Sequence, residues 1–282
     1  MSSKTAILAR TDAEPARDLT PEVRRIVEGH SELVAVLEPD QPIPGDAERL
    51  VVIGGDGTLL SSIRGTLQSN LPVLGVNAGR LGVLAEFDVD SLRTHAAAVF
   101  GPEPLIREHI VLQVTVIDAG GSERFQSVAV NDCAVTAGPP FRMIEILLGL
   151  DGTGGPVLNG DGVIVSTPIG STAYNVSAGG PIIQPTVEAI AITPVAPHSL
   201  AFRPIVADAS TRIELEINRA NPGTTLVVDG QINHLLEGGD RIIVQRSERR
   251  AKLVGNPGST YWNTLIHKMR WGAPPTYRDR GP

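Results

Sequence analysis

The sequence Leu50-Val-Val-Ile-Gly-Gly-Asp-Gly-Thr58 decides how the first part of the chain folds. Its apolar run predicts a buried strand, and three glycines around Asp56 allow the backbone to approach a ligand closely where that strand ends. Ligands bind at this edge of open α/β sheets. We expect a helix to begin at Thr58, with its free N–H groups facing a phosphate and the Asp56 carboxylate in the same crevice. A tight turn with Asp56 as a helix cap is the alternative interpretation.

Short apolar strands and helical stretches alternate on both sides of this loop. The predicted strands cover 5–9, 32–37, 49–53 and 72–76. One helix is predicted to begin at a capping Thr20 followed by Pro21, and another covers 90–100. Because the strands are too apolar to have a face in water, the alternation predicts a parallel sheet covered by helices.

From residue 105 the chain changes to short β segments separated by glycine-rich turns. The predicted class is α/β plus β: a Rossmann-like parallel α/β domain over 1–104 and a mainly antiparallel β-sandwich domain over 105–258. A C-terminal helix over 259–271 is predicted to return to the first domain. The apolar residues expected to pack there are Trp262, Leu265, Ile266 and Met269.

The composition narrows the class of protein. The 282 residues are 41% hydrophobic and 20% charged, which is typical of a globular chain. A net charge of −7 argues against a nucleic-acid-binding protein, and no apolar run reaches the roughly 18 residues needed to span a membrane. A single cysteine, Cys133, excludes a disulfide framework. We therefore expect a cytoplasmic protein that binds neither nucleic acid nor membrane.

Three further segments carry polar residues in unusual places. Asp161 lies between two glycines, as in a ligand loop or a hairpin turn. Segment 170–174 supplies two hydroxyls and Tyr174 at a predicted helix start, either for a ligand or as an ordinary cap with a core tyrosine. Asn131 and Asp132 interrupt an apolar strand, where adjacent side chains face opposite sides. A buried one needs a partner, such as a ribose hydroxyl, unless the pair forms a bulge or ends the strand.

Several motifs resemble one family of phosphoryl-transfer enzymes. The loop Gly54-Gly-Asp-Gly-Thr58 resembles the signature of NAD kinases and of their lipid-kinase and 6-phosphofructokinase relatives. Further motifs, in family order from about residue 50 to 271, indicate the NAD kinases among these. They are Asn77-Ala-Gly-Arg-Leu-Gly82, the pair Asn131-Asp132, the long stretch 159–181, and the blocks at 197–204, 228–231 and 261–265.

This resemblance implies a reaction and a set of site residues. The γ-phosphoryl of ATP moves to the adenosine ribose 2′-hydroxyl of NAD, with Asp56 as the base. Mg²⁺ or another divalent cation accompanies ATP, and no protein side chain is implied as a metal ligand. The residues implied to contact NAD or ATP are Gly55, Asp56, Gly57, Thr58, Asn77, Leu81, Asn131, Asp132, Arg142, Asn159, Asp161, Thr172, Ala173, Tyr174, Asn175, Ser177, Ala196 and Gln231. The family is usually a homodimer or homotetramer, so some of these residues are expected from a neighbouring subunit.

Two positions depart from the family pattern. The usual Asn-Glu pair is Asn-Asp here, which places the Asp132 carboxylate one methylene further from a ribose. Asn159 stands where bacterial members often have arginine, which leaves Arg142 as another source of positive charge. A lipid kinase, a sugar-phosphate kinase and a non-catalytic dinucleotide-binding sensor remain as alternatives. The sequence also leaves open whether the donor is ATP, another nucleoside triphosphate or polyphosphate.

Overall fold

The structure is a computed structural model that describes residues 3–10, 14–78, 83–269 and 271–272. The chain divides into two compact units. The first unit comprises residues 1–59, 73–107 and 254–282, and the second comprises 60–72 and 108–253. The sequence-based domain bounds of 1–104, 105–258 and 259–271 stay a prediction.

The first unit contains a parallel sheet of four strands in the order β2-β1-β3-β4. Its strands are β1 (Lys4–Ala9), β2 (Glu32–Leu37), β3 (Arg49–Gly54) and β4 (Val73–Asn77). Its helices are α1 (Glu14–His30), α2 (Asp56–Thr66), which begins in this unit, and α3 (Val89–Val99). Apolar residues of the helices and strands form one buried cluster, so the predicted parallel α/β fold is confirmed.

Two predicted helix starts are wrong. Helix α1 begins at Glu14 and passes through Thr20 and Pro21, and the Thr20 hydroxyl donates to the Ala16 carbonyl at 2.7 Å instead of capping an N-terminus. A buried apolar stripe along α1 outweighs the cost of an internal proline. Helix α2 begins at Asp56, two residues before the predicted start.

The second unit is built mainly from antiparallel strands in two sheets. In one sheet the order is β16-β13-β8-β9, and β5 pairs with both β16 and β6. In the other the order is β12-β11-β10-β7-β14-β15. The strands are β5 (Ile106–Ile117), β6 (Glu123–Ala129), β7 (Asp132–Thr136), β8 (Ile144–Leu150), β9 (Val157–Gly160), β10 (Gly162–Ser166), β11 (Ala189–Val195), β12 (Ile205–Asp208), β13 (Ile213–Arg219), β14 (Thr225–Val228), β15 (Ile232–Leu235) and β16 (Arg241–Val254). A core drawn from both sheets confirms the predicted antiparallel fold.

Two short helical segments follow strand β10 in the second unit. A 3₁₀ turn at Ile169–Thr172 leads into the four-residue helix α4 (Tyr174–Ser177). Both follow β10 directly, where the sequence predicts a helix, and they carry the segment that matched a family motif.

The C-terminal segment differs from its prediction. A single turn, α5 (Tyr261–Asn263), is followed by a π-helical turn at Thr264–Lys268. Of the four apolar residues expected to pack, only Leu265 is buried, whereas Trp262 and Ile266 are about half exposed. The π-helical turn replaces the α-helical spacing that would have placed residues 262, 265, 266 and 269 on one face. Within the described ranges, no helix is long and apolar enough to cross a membrane.

Candidate functional site

The glycine-framed loop of the first unit lies where strands β3 and β4 end side by side. Gly54 pairs with Asn77, and the Ala78 N–H donates to the Gly54 carbonyl at 3.3 Å. A Cβ atom at Gly54 would lie 3.0 Å from Thr58 Cβ, so a larger residue would crowd the first turn of α2. At Gly55 a Cβ would meet nothing within 4 Å, which leaves open space at the sheet edge.

Asp56 is the first residue of α2, and its carboxylate is held on one side only. Oδ2 accepts a hydrogen bond from the Val83 N–H at 2.9 Å. Oδ1 is buried and has no hydrogen-bond partner among the residues that the structure describes. A helix N-terminus favours negative charge at this position. The arrangement therefore offers one fixed carboxylate oxygen that can accept a proton or a hydrogen bond.

The other predicted residues of the first unit lie at the same edge. Gly57 and Thr58 continue the first turn of α2, and Asn77 ends β4 beside Gly54. The Asn77 N–H donates to the Phe87 carbonyl at 2.8 Å. Leu81 lies outside the described residues.

A second candidate site is a cavity of about 340 Å³ in the second unit. It lies along one face of β7, to which the alternate residues 132, 134 and 136 belong, and along the adjoining end of β14. Its lining residues are Asn131, Asp132, Ala134, Thr136, Ala173, Tyr174, Val227, Asp229 and Gly230. Four of these, Asn131, Asp132, Ala173 and Tyr174, are among the predicted site residues, which the fold therefore brings together.

The two polar residues at the start of β7 carry the cavity's hydrogen-bonding capacity. Asn131 Oδ1 is buried and has no partner within the described part of the chain. Asp132 is buried, and this burial, followed by the negative charge of Asp229, raises the pKa of Asp132 to about 7. A carboxyl group with such a pKa both donates and accepts hydrogen bonds near neutral pH, which suits a hydroxyl ligand.

Asp229, which directly follows β14, holds the chain just before β7. Its Oδ1 accepts from the N–H groups of Asn131 at 2.7 Å and Asp132 at 3.2 Å. Its Oδ2 accepts from the Val130 N–H at 3.1 Å and from Arg64 Nη1 at 2.5 Å. The other Arg64 nitrogen, Nη2, donates to Gln231 Oε1, which places the predicted Gln231 beside this network.

The segment that carries Tyr174 is locked by its own hydrogen bonds. Asn175 is fully buried, and its Nδ2 donates to the carbonyls of Ser171 at 3.0 Å and Pro181 at 2.9 Å. Its Oδ1 accepts from the Thr193 hydroxyl at 2.6 Å. Both amide hydrogens of Asn175 are thus already donated, and the side chain orders the loop that presents Tyr174, which is 42% exposed. Of the remaining predicted residues of this loop, Thr172 ends the 3₁₀ turn and Ser177 is the last residue of α4.

Three predicted residues gather at a different place. Strands β7 and β10 are antiparallel, so Ser166 at the end of β10 pairs with Asp132 at the start of β7. Asp161, just before β10, therefore adjoins the other end of β7, where its carbonyl accepts from the Ala137 N–H at 2.7 Å. At about 3.3 Å per residue, Asp161 lies roughly 17 Å along the strand from Asp132. Asn159 and Ala196 lie beside Asp161, since a Cβ at Gly160, between residues 159 and 161, would be 3.1 Å from the Ala196 carbonyl oxygen.

The two basic positions discussed from the sequence have different surroundings. Arg142 is exposed, and its backbone carbonyl accepts a hydrogen bond from the Asn221 side chain. Asn159 is itself neutral, but Arg219 Nη2 donates to Asn159 Oδ1 at 3.5 Å. A positive charge is therefore present beside residue 159 although the residue itself is neutral.

Sequence reasoning missed Arg64, Thr136, Asp229 and Gly230. Asp229 stands in the quoted block 228–231, and the Asp-Gly pair there was a usable signal for a turn next to a site. Arg64 gave no signal, because its contact with Asp229 spans 165 positions of the chain.

A parallel α/β unit with a glycine-framed carboxylate, followed by an antiparallel unit with a polar cavity, is typical of a nucleotide-binding enzyme. The comparisons with known proteins give the particular family. The N-terminal domain of ATP-NAD kinases matches residues 7–103, and their C-terminal domain matches residues 130–255. The chain belongs to the NAD kinase family, and its activity is the phosphorylation of NAD.

Individual relatives agree with this assignment. An NAD kinase of Rhodopirellula baltica is 38% identical over 254 residues, which cover 88% of this chain and 80% of that one. An Archaeoglobus fulgidus NAD kinase solved in complex with ATP is similar with a TM-score of 0.75 and 27% identity, over 95% of this chain and 98% of that one. Yeast NADH kinase, solved with NADH, is similar with a TM-score of 0.85 and 21% identity, over 99% of this chain and 90% of that one. This likeness shows the shared fold.

Proposed function

We propose that Asp56 is the base of the reaction that moves the γ-phosphoryl of ATP to the adenosine ribose 2′-hydroxyl of NAD. The observation that carries this proposal is Asp56 Oδ1, which is buried and has no hydrogen-bond partner among the described residues, while Oδ2 is fixed by the Val83 N–H. A carboxylate held in one orientation can take the proton that the hydroxyl loses as the new P–O bond forms. The similarity to an NAD kinase solved with ATP supports ATP as the donor.

The glycine-framed loop fits the phosphates of the donor. Open space at Gly55 allows phosphate oxygens to approach backbone N–H groups at the start of α2. Within the described ranges, no group of three or more His, Cys, Asp or Glu side chains could hold a metal ion. In the proposed reaction, Mg²⁺ or another divalent cation bound chiefly to phosphates and water would neutralise charge on the phosphoryl group. The protein then contributes mainly orientation.

The cavity of the second unit fits the adenosine end of NAD. Asn131 Oδ1, which has no partner in the described ranges, can accept from an amino or hydroxyl group, and Asp132 can bond a ribose hydroxyl. The half-exposed ring of Tyr174 offers a face for a purine. A buried acceptor without a donor costs free energy that a bound ligand recovers.

Asn159, Asp161 and Ala196 lie too far along the sheet to complete this cavity within one chain. We propose that the protein is a homodimer or homotetramer in which these residues serve a neighbouring subunit's ligand, with Arg142 and Arg219 adding positive charge. Sedimentation of the intact chain, with and without NAD, tests the oligomer. We further propose a cytoplasmic location.

The role of Asp56 is tested by Asp56→Asn, assayed with NAD, ATP and Mg²⁺ and an NADP-specific dehydrogenase to detect product. Asparagine keeps the size but cannot accept the proton, so we expect kcat to fall by about 10²–10⁴ while KM for NAD changes little. Asp90→Asn is the matched control, because Asp90 is an exposed acid in the first turn of α3. If Asp56 only caps α2, the variant loses about 1 kcal/mol of stability and keeps its turnover, which contradicts the proposal.

A further inference from the structure

The backbone of residues 130–132 is held in an unusual way. Strand β6 ends at Ala129 and β7 begins at Asp132, so residues 130 and 131 lie between the strands and Asp132 is at the very start of β7. Three consecutive N–H groups, of residues 130, 131 and 132, instead donate to the one carboxylate of Asp229. Hydrogen bonds to an ionised acceptor are stronger than those between neutral groups, so this carboxylate fixes the segment firmly.

We propose that Asp229 is a positioning residue for NAD binding: its carboxylate fixes the backbone of residues 130–132, so that Asn131 and Asp132 present their side chains to NAD. The proposal rests on the proposed assignment of the cavity to NAD. It adds a role for a residue whose own side chain contributes no free hydrogen-bonding group.

The carbonyl side of the same segment is fixed as well. The Thr167 hydroxyl donates to the Val130 carbonyl at 2.7 Å, and the Thr167 N–H donates to the Asn131 carbonyl at 2.9 Å. A Cβ at Gly170 would lie 2.0 Å from that Asn131 oxygen, so only glycine fits there. The peptide groups of residues 130 and 131 are therefore held from both sides, which fixes the direction in which their Cα–Cβ bonds leave the backbone.

Asp229 has no capacity left for direct chemistry. A carboxylate offers about four acceptor positions, and Asp229 uses two on each oxygen, three for N–H groups and one for Arg64. Its side chain is 0% exposed and that of Arg64 13% exposed, so the pair is a buried ion pair. The guanidinium offsets a charge that would otherwise be too costly to bury beside Asp132. This argues for positioning rather than proton transfer.

The backbone of Asp229 also matters for the choice of variant. Its φ is +50°, and its own N–H donates to the Asp132 carbonyl at 2.9 Å. Asparagine adopts this left-handed conformation more readily than other residues with a side chain. Asp229→Asn therefore removes the charge and one acceptor oxygen while leaving the backbone conformation acceptable.

The first measurement is steady-state kinetics of Asp229→Asn. We expect KM for NAD to rise at least tenfold, with KM for ATP within about twofold of the unchanged chain. Asp118→Asn is the matched control, because Asp118 Oδ1 also accepts two backbone N–H groups, from Gly120 and Ser122, each at 2.9 Å in a surface turn. This control is expected to keep both KM values. Equal rises in both KM values for Asp229→Asn, together with a lower melting temperature, would indicate general damage and overturn the proposal.

The second measurement is amide hydrogen exchange of Asp229→Asn without any ligand. We expect faster exchange at residues 130–132 and unchanged exchange in β10 and β11. Unchanged exchange at residues 130–132 overturns the proposed restraint whether or not NAD binds nearby. If exchange quickens but KM for NAD does not move, the positioning role is wrong. Asn131→Ala then tests the cavity itself, since an unchanged KM for NAD in that variant refutes the assignment of the cavity to NAD.

A milder variant covers the case in which Asp229→Asn does not fold. Arg64→Gln keeps the carboxylate and its three N–H partners but removes the guanidinium. We expect KM for NAD to rise about threefold and exchange at residues 130–132 to quicken less than in Asp229→Asn. A normal KM for NAD together with normal exchange in Arg64→Gln overturns the proposal.

Discussion

Replacement of Asp132 by asparagine is expected to change how stability depends on pH. Burial and the charge of Asp229 raise the pKa of Asp132 to about 7 from an ordinary value of 3.8. The folded chain therefore binds a proton at Asp132 between these pH values that the unfolded chain has lost. Stability must then fall as pH rises from about 4 to about 7, and this contribution stays constant above that range.

The size of the effect follows from the pKa difference. About three pKa units at 1.36 kcal/mol each give about 4 kcal/mol of free energy of unfolding lost between pH 4 and pH 8. Asp132→Asn cannot ionise, so it lacks this loss. Relative to the unchanged chain, the variant should be about 4 kcal/mol more stable at pH 8 than at pH 4, which corresponds to roughly 8 °C in melting temperature.

The assay is thermal or urea unfolding of both chains at several pH values, followed by far-ultraviolet circular dichroism. Only the difference between the two chains is interpreted, because groups far from Asp132 contribute equally to both. Parallel stability curves for the variant and the unchanged chain across pH 4–8 would refute the reasoning. That result would mean that Asp132 carries its charge in the folded chain at no cost.

Further predictions concern packing. Gly170→Ala forces a Cβ to 2.0 Å from the Asn131 carbonyl oxygen, so we expect a loss of about 1–3 kcal/mol and a higher KM for NAD. Gly154→Ala, where a Cβ meets nothing within 4 Å, should change neither quantity. Leu265→Ala should cost about 2–5 kcal/mol, since Leu265 is buried, whereas Ile266→Ala should cost little, as chemical denaturation can show. Equal costs for the two would contradict the packing of the C-terminal segment described above.

Much of the fold could be predicted because it depends on local patterns. Strands β1 to β4 are apolar runs ended by turn residues, and they were predicted to within one or two residues. The predicted start of α1 is wrong because Pro21 also fits the first turn of a helix. In the structure, the buried residues of α1 stabilise a helix that continues through Pro21. Local preference loses to burial when enough of one helix face is covered.

The candidate site could be predicted only in part. Asp56, Asn131 and Asp132 were found because a charged or polar residue interrupts an apolar or glycine-rich pattern at each position. Asp229 and Arg64 were missed because their role lies in contacts with residues about 100 or more positions away. Sequence spacing carries no information about such contacts until the sheet order is known.

The placement of the two tryptophans decides what spectroscopy can report. Trp262 and Trp271 are the only tryptophans of the chain, and both lie in its last portion, 54% and 59% exposed. Their emission is therefore expected to be red-shifted already in the native state and to respond to events around the C-terminus. Unfolding of the antiparallel unit, which contains no tryptophan, is expected to leave intrinsic fluorescence nearly unchanged. A tryptophan introduced at Phe125, which stacks on His234, would supply the missing optical signal for that unit.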